Sequence, residues 1–238
     1  MFLHHFILFA TIIITKSQGY GIFSNILDSA NTPIKIIEAD ISLIEEKVFG
    51  SSSNLAQFSV QASKPTLHLY YETLCSGCII LDSTQFKKVV SLLHQYVDIH
   101  TFPYGGARTR KHSDGTVEVT CQHGPKECYG NKLHACALDI IANATEALLF
   151  NACMMPLKSN DESADKCGQE MNIEVDSIKK CANSKKGLDL LVHYGEESKK
   201  IVFHYVPYVL LNGKEWRGQD LFSDTCGAFQ NPPKPCHS

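Results

Sequence analysis

Between residues 64 and 102 the apolar positions change rhythm twice. "TLHLYY" (Thr66 to Tyr71) is a short apolar and aromatic run behind a proline, the pattern of a buried strand. After it, Ile79, Phe86, Val90, Leu93 and Val97 fall on one face of a helix, and "VDIHTF" (Val97 to Phe102) then alternates as a second strand that "PYGG" ends. A strand, a helix and a strand at this spacing make a right-handed crossover with parallel strands. Cys75 then lies at the N-terminus of the connecting helix.

Downstream the period is helical. Asn131 to Phe150, Val175 to Ala182 and Gly187 to Ser198 each carry apolar residues at helical spacing, separated by polar loops such as "KSNDESADKCG". The charge run "RTRKH" (Arg108 to His112) predicts a solvated loop. "VFHYVPYVLLNGKEW" holds two short strands joined by Asn212 and Gly213, and a two-residue Asn-Gly loop is a strong hairpin signal. "NPPKPCHS" closes the chain as a proline-rich tail.

Upstream, Ile34, Ile37, Ile41, Ile44 and Val48 define one amphipathic helix, started by Thr32 as N-cap and Pro33 at the first helical position. "GSSSN" (Gly50 to Asn54) follows as a flexible linker. A helix docked on the domain surface, a removable prosegment and a partner-binding helix all fit this segment. Before it, "MFLHHFILFATIIITKSQG" has an apolar stretch from Phe6 to Ile14, too short to span a bilayer and similar to a secretory signal peptide, although His4 and His5 stand where Lys or Arg is usual. The chain therefore divides into a signal peptide (1–19), the helix and linker (20–62) and a main domain (63–238). No other stretch approaches the ~20 apolar residues of a membrane span.

Composition changes this picture at two points. A formal net charge of -3 gives no footprint for nucleic acid. The ten cysteines, on a secretory route, favour disulfides over metal. The sequon "NAT" at Asn143 supports the same route. On a continuous helix Asn143 shares a solvent face with Asp139 and Glu146, opposite Leu133, Ile140, Ala144 and Leu148.

Two of the ten cysteines stand apart, in "CSGC". A cysteine at a helix N-terminus faces unpaired N–H groups and the positive end of the helix dipole, which favour thiolate, so Cys75 is the candidate nucleophile. Cys78, one turn on, can attack the resulting mixed disulfide. Small Ser76 and Gly77 leave room for a bulky substrate. Zinc fits poorly, because only one CxxC exists and six residues separate Cys121 from Cys128, so no metal is expected. The same pair would also suit a disulfide-rich binding protein with an inert CxxC, or an oxidase or isomerase. The remaining eight (Cys121, Cys128, Cys136, Cys153, Cys167, Cys181, Cys226 and Cys236) are candidates for four structural disulfides, with 105 possible pairings, of which Cys226 with Cys236 is a plausible local one. His123 is open to two readings, a structural hydrogen bond in a loop or a ligand or proton donor.

The stretch "CQHGPKECYGNKLHAC" matches a family signature throughout: Cys121, Gln122, His123, Gly124, Glu127, Cys128, Asn131 and Cys136 occupy its fixed positions. With "CSGC", "FPYG", "VPYVLLNG" and the final cysteines, the chain from about Lys64 onward resembles the gamma-interferon-inducible lysosomal thiol reductase family. The resemblance implies an α/β, thioredoxin-like fold with a helical insertion, stapled by disulfides. It implies reduction of protein disulfides in acidic endocytic compartments, with Cys75 attacking and Cys78 resolving. Thioredoxin-like folds hold a cis proline beside the redox pair, which here implies a cis Val206-Pro207 bond, with Val206 and Pro207 bordering the substrate. The implied reductant is a small thiol such as cysteine rather than a bound cofactor, and no glycine-rich nucleotide fingerprint follows a strand. The implied partners are disulfide-containing proteins, met in lysosomes or after secretion.

Overall fold

The computed structural model describes residues 63–237. The signal peptide, the amphipathic helix and the linker expected over 1–62 lie outside the described residues.

β1 (Thr66–Tyr71) is the strand around which the domain is assembled. It pairs in parallel with β2 (Asp98–Pro103) and antiparallel with β5 (Tyr208–Leu211), which pairs in turn with β6 (Lys214–Glu215), giving the sheet order β2-β1-β5-β6. Asn212 and Gly213 close the β5-β6 hairpin with φ of 51° and 72°, the left-handed pair that a two-residue turn requires. The Asn212 side chain also accepts from the Thr66 N–H at 2.9 Å, tying the turn back to β1.

Alternation along β1 separates two cores. Leu67, Leu69 and Tyr71 pack with Phe86, Val89, Val90, Leu93 and Val209. Tyr70 turns to the opposite face, where it packs with Tyr208, Leu210 and Phe102, its ring stacked on Phe102 at 4.4 Å. The crossover consists of α1 (Ser76–Leu81), a π-helical turn (Asp82–Phe86) and α2 (Lys87–Leu93). Ser83 and Thr84 donate their hydroxyls to the carbonyls of Ile79 and Ile80, local competition that widens a helix at such a turn.

Three elements differ from the periodicity reading. Arg108–Lys111 is a strand, β3, rather than a loop, and pairs with β4 (Val117–Thr120). β3 (RTRK) buries no residue and has no apolar alternation, while β4 (VEVT) alternates over only four residues, with Val119 packed against the cluster of Tyr104 and Cys121. The single helix expected over Asn131 to Phe150 is two, α3 (Pro125–Ile140) and α4 (Ala144–Met154), broken where Ile141 turns extended and the Asn143 side chain accepts from the N–H groups of Thr145 and Glu146. Asn143 is exposed, as the cap of α4 rather than a mid-helix residue. Most of the polar "KSNDESADKCG" is not a loop but the start of α5 (Asp161–Met171), opened by a reciprocal capping box between Asn160 and Ser163.

α6 (Asp176–Ala182), α7 (Lys185–Ser198) and α8 (Leu221–Gly227) complete the helices, with a short 3-10 turn at Lys234–His237. Helices α3 to α6 enclose a second core of Leu133, Phe150, Met154, Ala164 and Ile178, which is the helical insertion. Four disulfides join Cys121 to Cys128, Cys136 to Cys181, Cys153 to Cys167 and Cys226 to Cys236. No helix among the described residues is long and apolar enough to cross a membrane.

The loops these disulfides close differ in length, with sequence separations of 45 for Cys136–Cys181 and 10 for Cys226–Cys236. Chain-entropy arguments give about 4 kcal/mol for the first and about 3 kcal/mol for the second. Paired alanine substitutions measured by denaturant unfolding should therefore destabilise more at Cys136 and Cys181. The reverse order would show that native packing or residual denatured structure decides the matter.

Candidate active site

Beyond β1 the chain turns through Glu72 and Thr73, both buried, before Cys75. This turn is held from α3: the Asn131 side chain accepts from the Thr73 N–H at 3.0 Å, and Thr73 donates its hydroxyl to the Glu127 carbonyl at 3.4 Å. Gly130 permits this approach, since a Cβ there would lie 2.5 Å from the Thr73 hydroxyl and 2.9 Å from the Ser159 carbonyl. The helical insertion thus positions the approach to the cysteine pair.

Cys75 is the N-cap of α1, with φ -69° and ψ 123°. Its Sγ accepts from the Cys78 N–H at 3.4 Å, and its carbonyl accepts from Ile79 N–H at 2.9 Å to begin the helix. Cys75 is partly exposed, whereas Cys78 is 1% exposed. The sulfur environment separates the two thiols. A hydrogen bond from the Cys78 thiol is the largest influence on Cys75 and brings it down to about 6, against partial burial; the N–H groups of Cys78 and Gly77 and the charge of His123 act in the same direction as the thiol. Burial, then donation to Cys75, pushes Cys78 far up. The first proton to leave is that of Cys75.

On the exposed side of this sulfur lies the loop before β5. The Val206-Pro207 bond is cis, and the Val206 carbonyl lies 3.6 Å from Cys75 Sγ. A Cβ on Gly77 would sit 3.2 Å from Pro207 Cδ, so glycine keeps the contact between helix and loop free of crowding. An open groove of about 290 Å³ runs beside the loop, lined by Tyr104, Gly105, Phe203, Tyr205 and Val206 among others. Its lining also includes the polar Gln122, Ser198, Lys199 and His204.

A second set of titratable groups faces the cysteines. The Cys121–Cys128 disulfide closes the loop that carries Gln122 and His123. His123 Nδ1 lies 2.5 Å from Glu127 Oε2 and 3.4 Å from Glu72 Oε1, and its backbone N–H donates to Glu127 Oε1 at 3.0 Å. Glu72 also accepts from the Gly106 N–H at 2.8 Å, and the left-handed Gly105 is a position where any Cβ would run into its carboxylate. Burial raises Glu72 to about 7, relieved by the Gly106 bond and by His123 and reinforced by Glu127. His123 is held above its ordinary value, first by its hydrogen bond to Glu127. The three ligand atoms converge within 4.8 Å, two of them joined by the short His123–Glu127 bond.

The structure therefore brings Cys75, Cys78, Val206 and Pro207 together with His123, while Asn143 lies on the insertion. Sequence reasoning missed Glu72. Its available signal was a lone acid directly after a buried strand, "YYET", where continued burial demands a partner.

A mixed sheet with a CxxC at the start of the helix after its first strand, facing a cis-proline loop, defines a thioredoxin-like thiol-disulfide oxidoreductase. Within that class the chain belongs to the gamma-interferon-inducible lysosomal thiol reductase family, whose model matches residues 66–171. It is 38% identical over 156 residues to GILT-like protein 2 of Drosophila melanogaster, covering 64% of this chain and 71% of the relative. It is 33% identical over 172 residues to the Mus musculus gamma-interferon-inducible lysosomal thiol reductase, covering 70% and 68%. Among solved structures the disulfide bond oxidoreductase DsbG of Mycobacterium tuberculosis, in its reduced form, shares the fold, with a TM-score of 0.52 at 17% identity over 77% of this chain and 86% of that one. The protein is a disulfide reductase.

The hydrogen bonds on Cys75 make a direct prediction. Alkylation by iodoacetamide in the native protein should rise with pH through a midpoint near 6. Cys78→Ala removes the thiol donor and should move the midpoint toward that of an ordinary cysteine, ~8.5. An unchanged midpoint in this variant would show that helix-terminal N–H groups alone set the value.

Proposed function

We propose that the protein reduces protein disulfides through Cys75 and Cys78 in the acidic endosomal and lysosomal pathway. The Cys75 thiolate attacks a substrate sulfur and displaces one thiol; Cys78 then attacks Cys75 Sγ, releases the second thiol and leaves a Cys75–Cys78 disulfide. A small thiol such as cysteine restores the dithiol. Val206 and Pro207 border the substrate chain, and the adjoining groove receives its apolar side chains. Asn143 carries an N-linked glycan, residues 1–19 direct secretion, and 20–62 form an N-terminal segment removable without loss of the chemistry.

One arrangement carries this reading: Cys75 caps the N-terminus of α1 and its Sγ accepts from the Cys78 N–H at 3.4 Å, donors that with the Cys78 thiol bring its pKa down to about 6. Relative to a free thiol of pKa ~8.5, such a group is ionised about 300 times more often at pH 5, while its lower basicity reduces nucleophilicity about eighteenfold, a net gain of roughly sixteenfold. At pH 7 the same bookkeeping leaves a gain of less than about twofold. The electrostatics at Cys75 are therefore worth having chiefly in acid.

The assignment of roles is tested by trapping. Cys78→Ser should accumulate a mixed disulfide between Cys75 and a denatured disulfide protein at pH 5, and Cys75→Ser should form no adduct. Peptide mapping that places the adduct on Cys78 in the Cys75→Ser variant would invert the roles. Turnover of the intact protein that disappears below neutrality would remove the acidic setting.

A further inference from the structure

In the mechanism as stated His123 only helps to lower Cys75 through its charge, and neither it nor Glu127 nor the buried Glu72 handles a proton. Two carboxylates buried to 0% and 1% exposure flank one imidazole whose side chain remains 40% exposed. Burying two acids around one base is costly unless they share protons, and this cluster is built to share them. Glu127 holds His123 at two points, through the backbone N–H and through Nδ1, so the ring orientation is set. Nε2 has no hydrogen-bond partner among the described residues. Glu72, whose carboxylate lies 3.4 Å from His123 Nδ1, precedes Cys75 by three residues and so joins the cluster to the cysteine pair; the titratable groups there are Glu72, His123, Glu127, Cys75 and Cys78.

Disulfide reduction needs a proton at this place. A reduced centre holding a Cys75 thiolate and a Cys78 thiol carries one proton, yet two thiols must leave. We propose that Glu72, His123 and Glu127 form a proton store that takes up the proton Cys75 loses and delivers it from His123 Nε2 to the first substrate sulfur to depart. The balance is complete. In the first half Cys75 Sγ forms the S–S bond, the substrate S–S bond breaks, and the leaving sulfur takes its electron pair together with the His123 proton. In the second half Cys78 forms the bond to Cys75, and its own proton goes to the second leaving sulfur. When a small thiol regenerates Cys75, the proton lost from Cys75 refills His123. His123 is then a catalytic residue, Glu127 positions it, and Glu72, held in its neutral form at acid pH by burial, keeps a second proton within 3.4 Å of Nδ1.

This inference rests on Cys75 being the attacking thiol. The test uses the full-length Cys78→Ser protein, which isolates the first half, at pH 5, with cystine and with the aromatic disulfide 5,5'-dithiobis(2-nitrobenzoate). The aromatic thiolate leaves without a proton, whereas the cysteine thiolate does not. Adding His123→Gln should slow Cys75 adduct formation with cystine by about 10- to 100-fold, at the lower end of general acid effects, and leave the aromatic disulfide within about threefold. Equal slowing with both would make His123 an electrostatic or structural support and overturn the store. Should His123→Gln misfold, the Cys78→Ser protein decides alone: its rate advantage over free cysteine must be at least about tenfold larger for cystine than for the aromatic disulfide. An equal advantage overturns the store while sparing the role of Cys75, and the absence of any Cys75 adduct overturns both.

Discussion

The redox centre depends on one sulfur receiving donors from a neighbour that keeps its own proton. Cys75 accepts from Cys78, both N–H and thiol, because α1 begins at Cys75 and brings Cys78 round within a single turn. Cys78 can play donor only because it is buried, for an exposed thiol would titrate in competition. The asymmetry between the pair is thus a packing result as much as an electrostatic one. The same core of Leu67, Leu69, Tyr71 and Val90 that holds the sheet against the helix also keeps the Cys78 thiol protonated.

What the helical insertion adds is precision in the segment just before that sulfur. Glu72 and Thr73 form no regular ladder, so their polar groups need partners from elsewhere. Asn131 and Glu127 supply them from the first turns of α3, and Gly130 lets the helix come close enough to do so. The Cys121–Cys128 disulfide then fixes the loop that brings His123 onto Glu127. Signature positions that look scattered along the chain are, in space, one brace running from the insertion to the cysteine pair.

Legibility in the sequence follows burial. β1, the crossover helices and β2 are readable because each buries one face, so the period appears in the residue types. β3 buries nothing and leaves no such trace, and β4 leaves only a four-residue one in Val117 and Val119. The start of α5 depends on the Asn160–Ser163 capping box, a signal written in polar residues that resemble a loop, and the break before α4 depends on Asn143 acting as a cap inside an otherwise continuous helical period. The cysteine pair is legible because CxxC requires no distant partner. Glu72 is not, because its meaning comes from Gly106 and His123, which lie 34 and 51 positions away and meet it only in the fold.

A disulfide reductase that carries four disulfides of its own must be kept from acting on them. Exchange requires a thiolate in line with an accessible S–S bond. Only the Cys136–Cys181 bridge is buried at both ends; Cys121, Cys167 and Cys226 are buried but their partners Cys128, Cys153 and Cys236 are partly exposed, so burial alone shields one bridge of the four. Cys75 for its part is anchored as a helix cap between Cys78 and the Val206 carbonyl and cannot swing to meet them. What spares the protein's own bridges is therefore immobility: the Cys75 sulfur is fixed against the Val206 carbonyl, and an S–S bond must come to it.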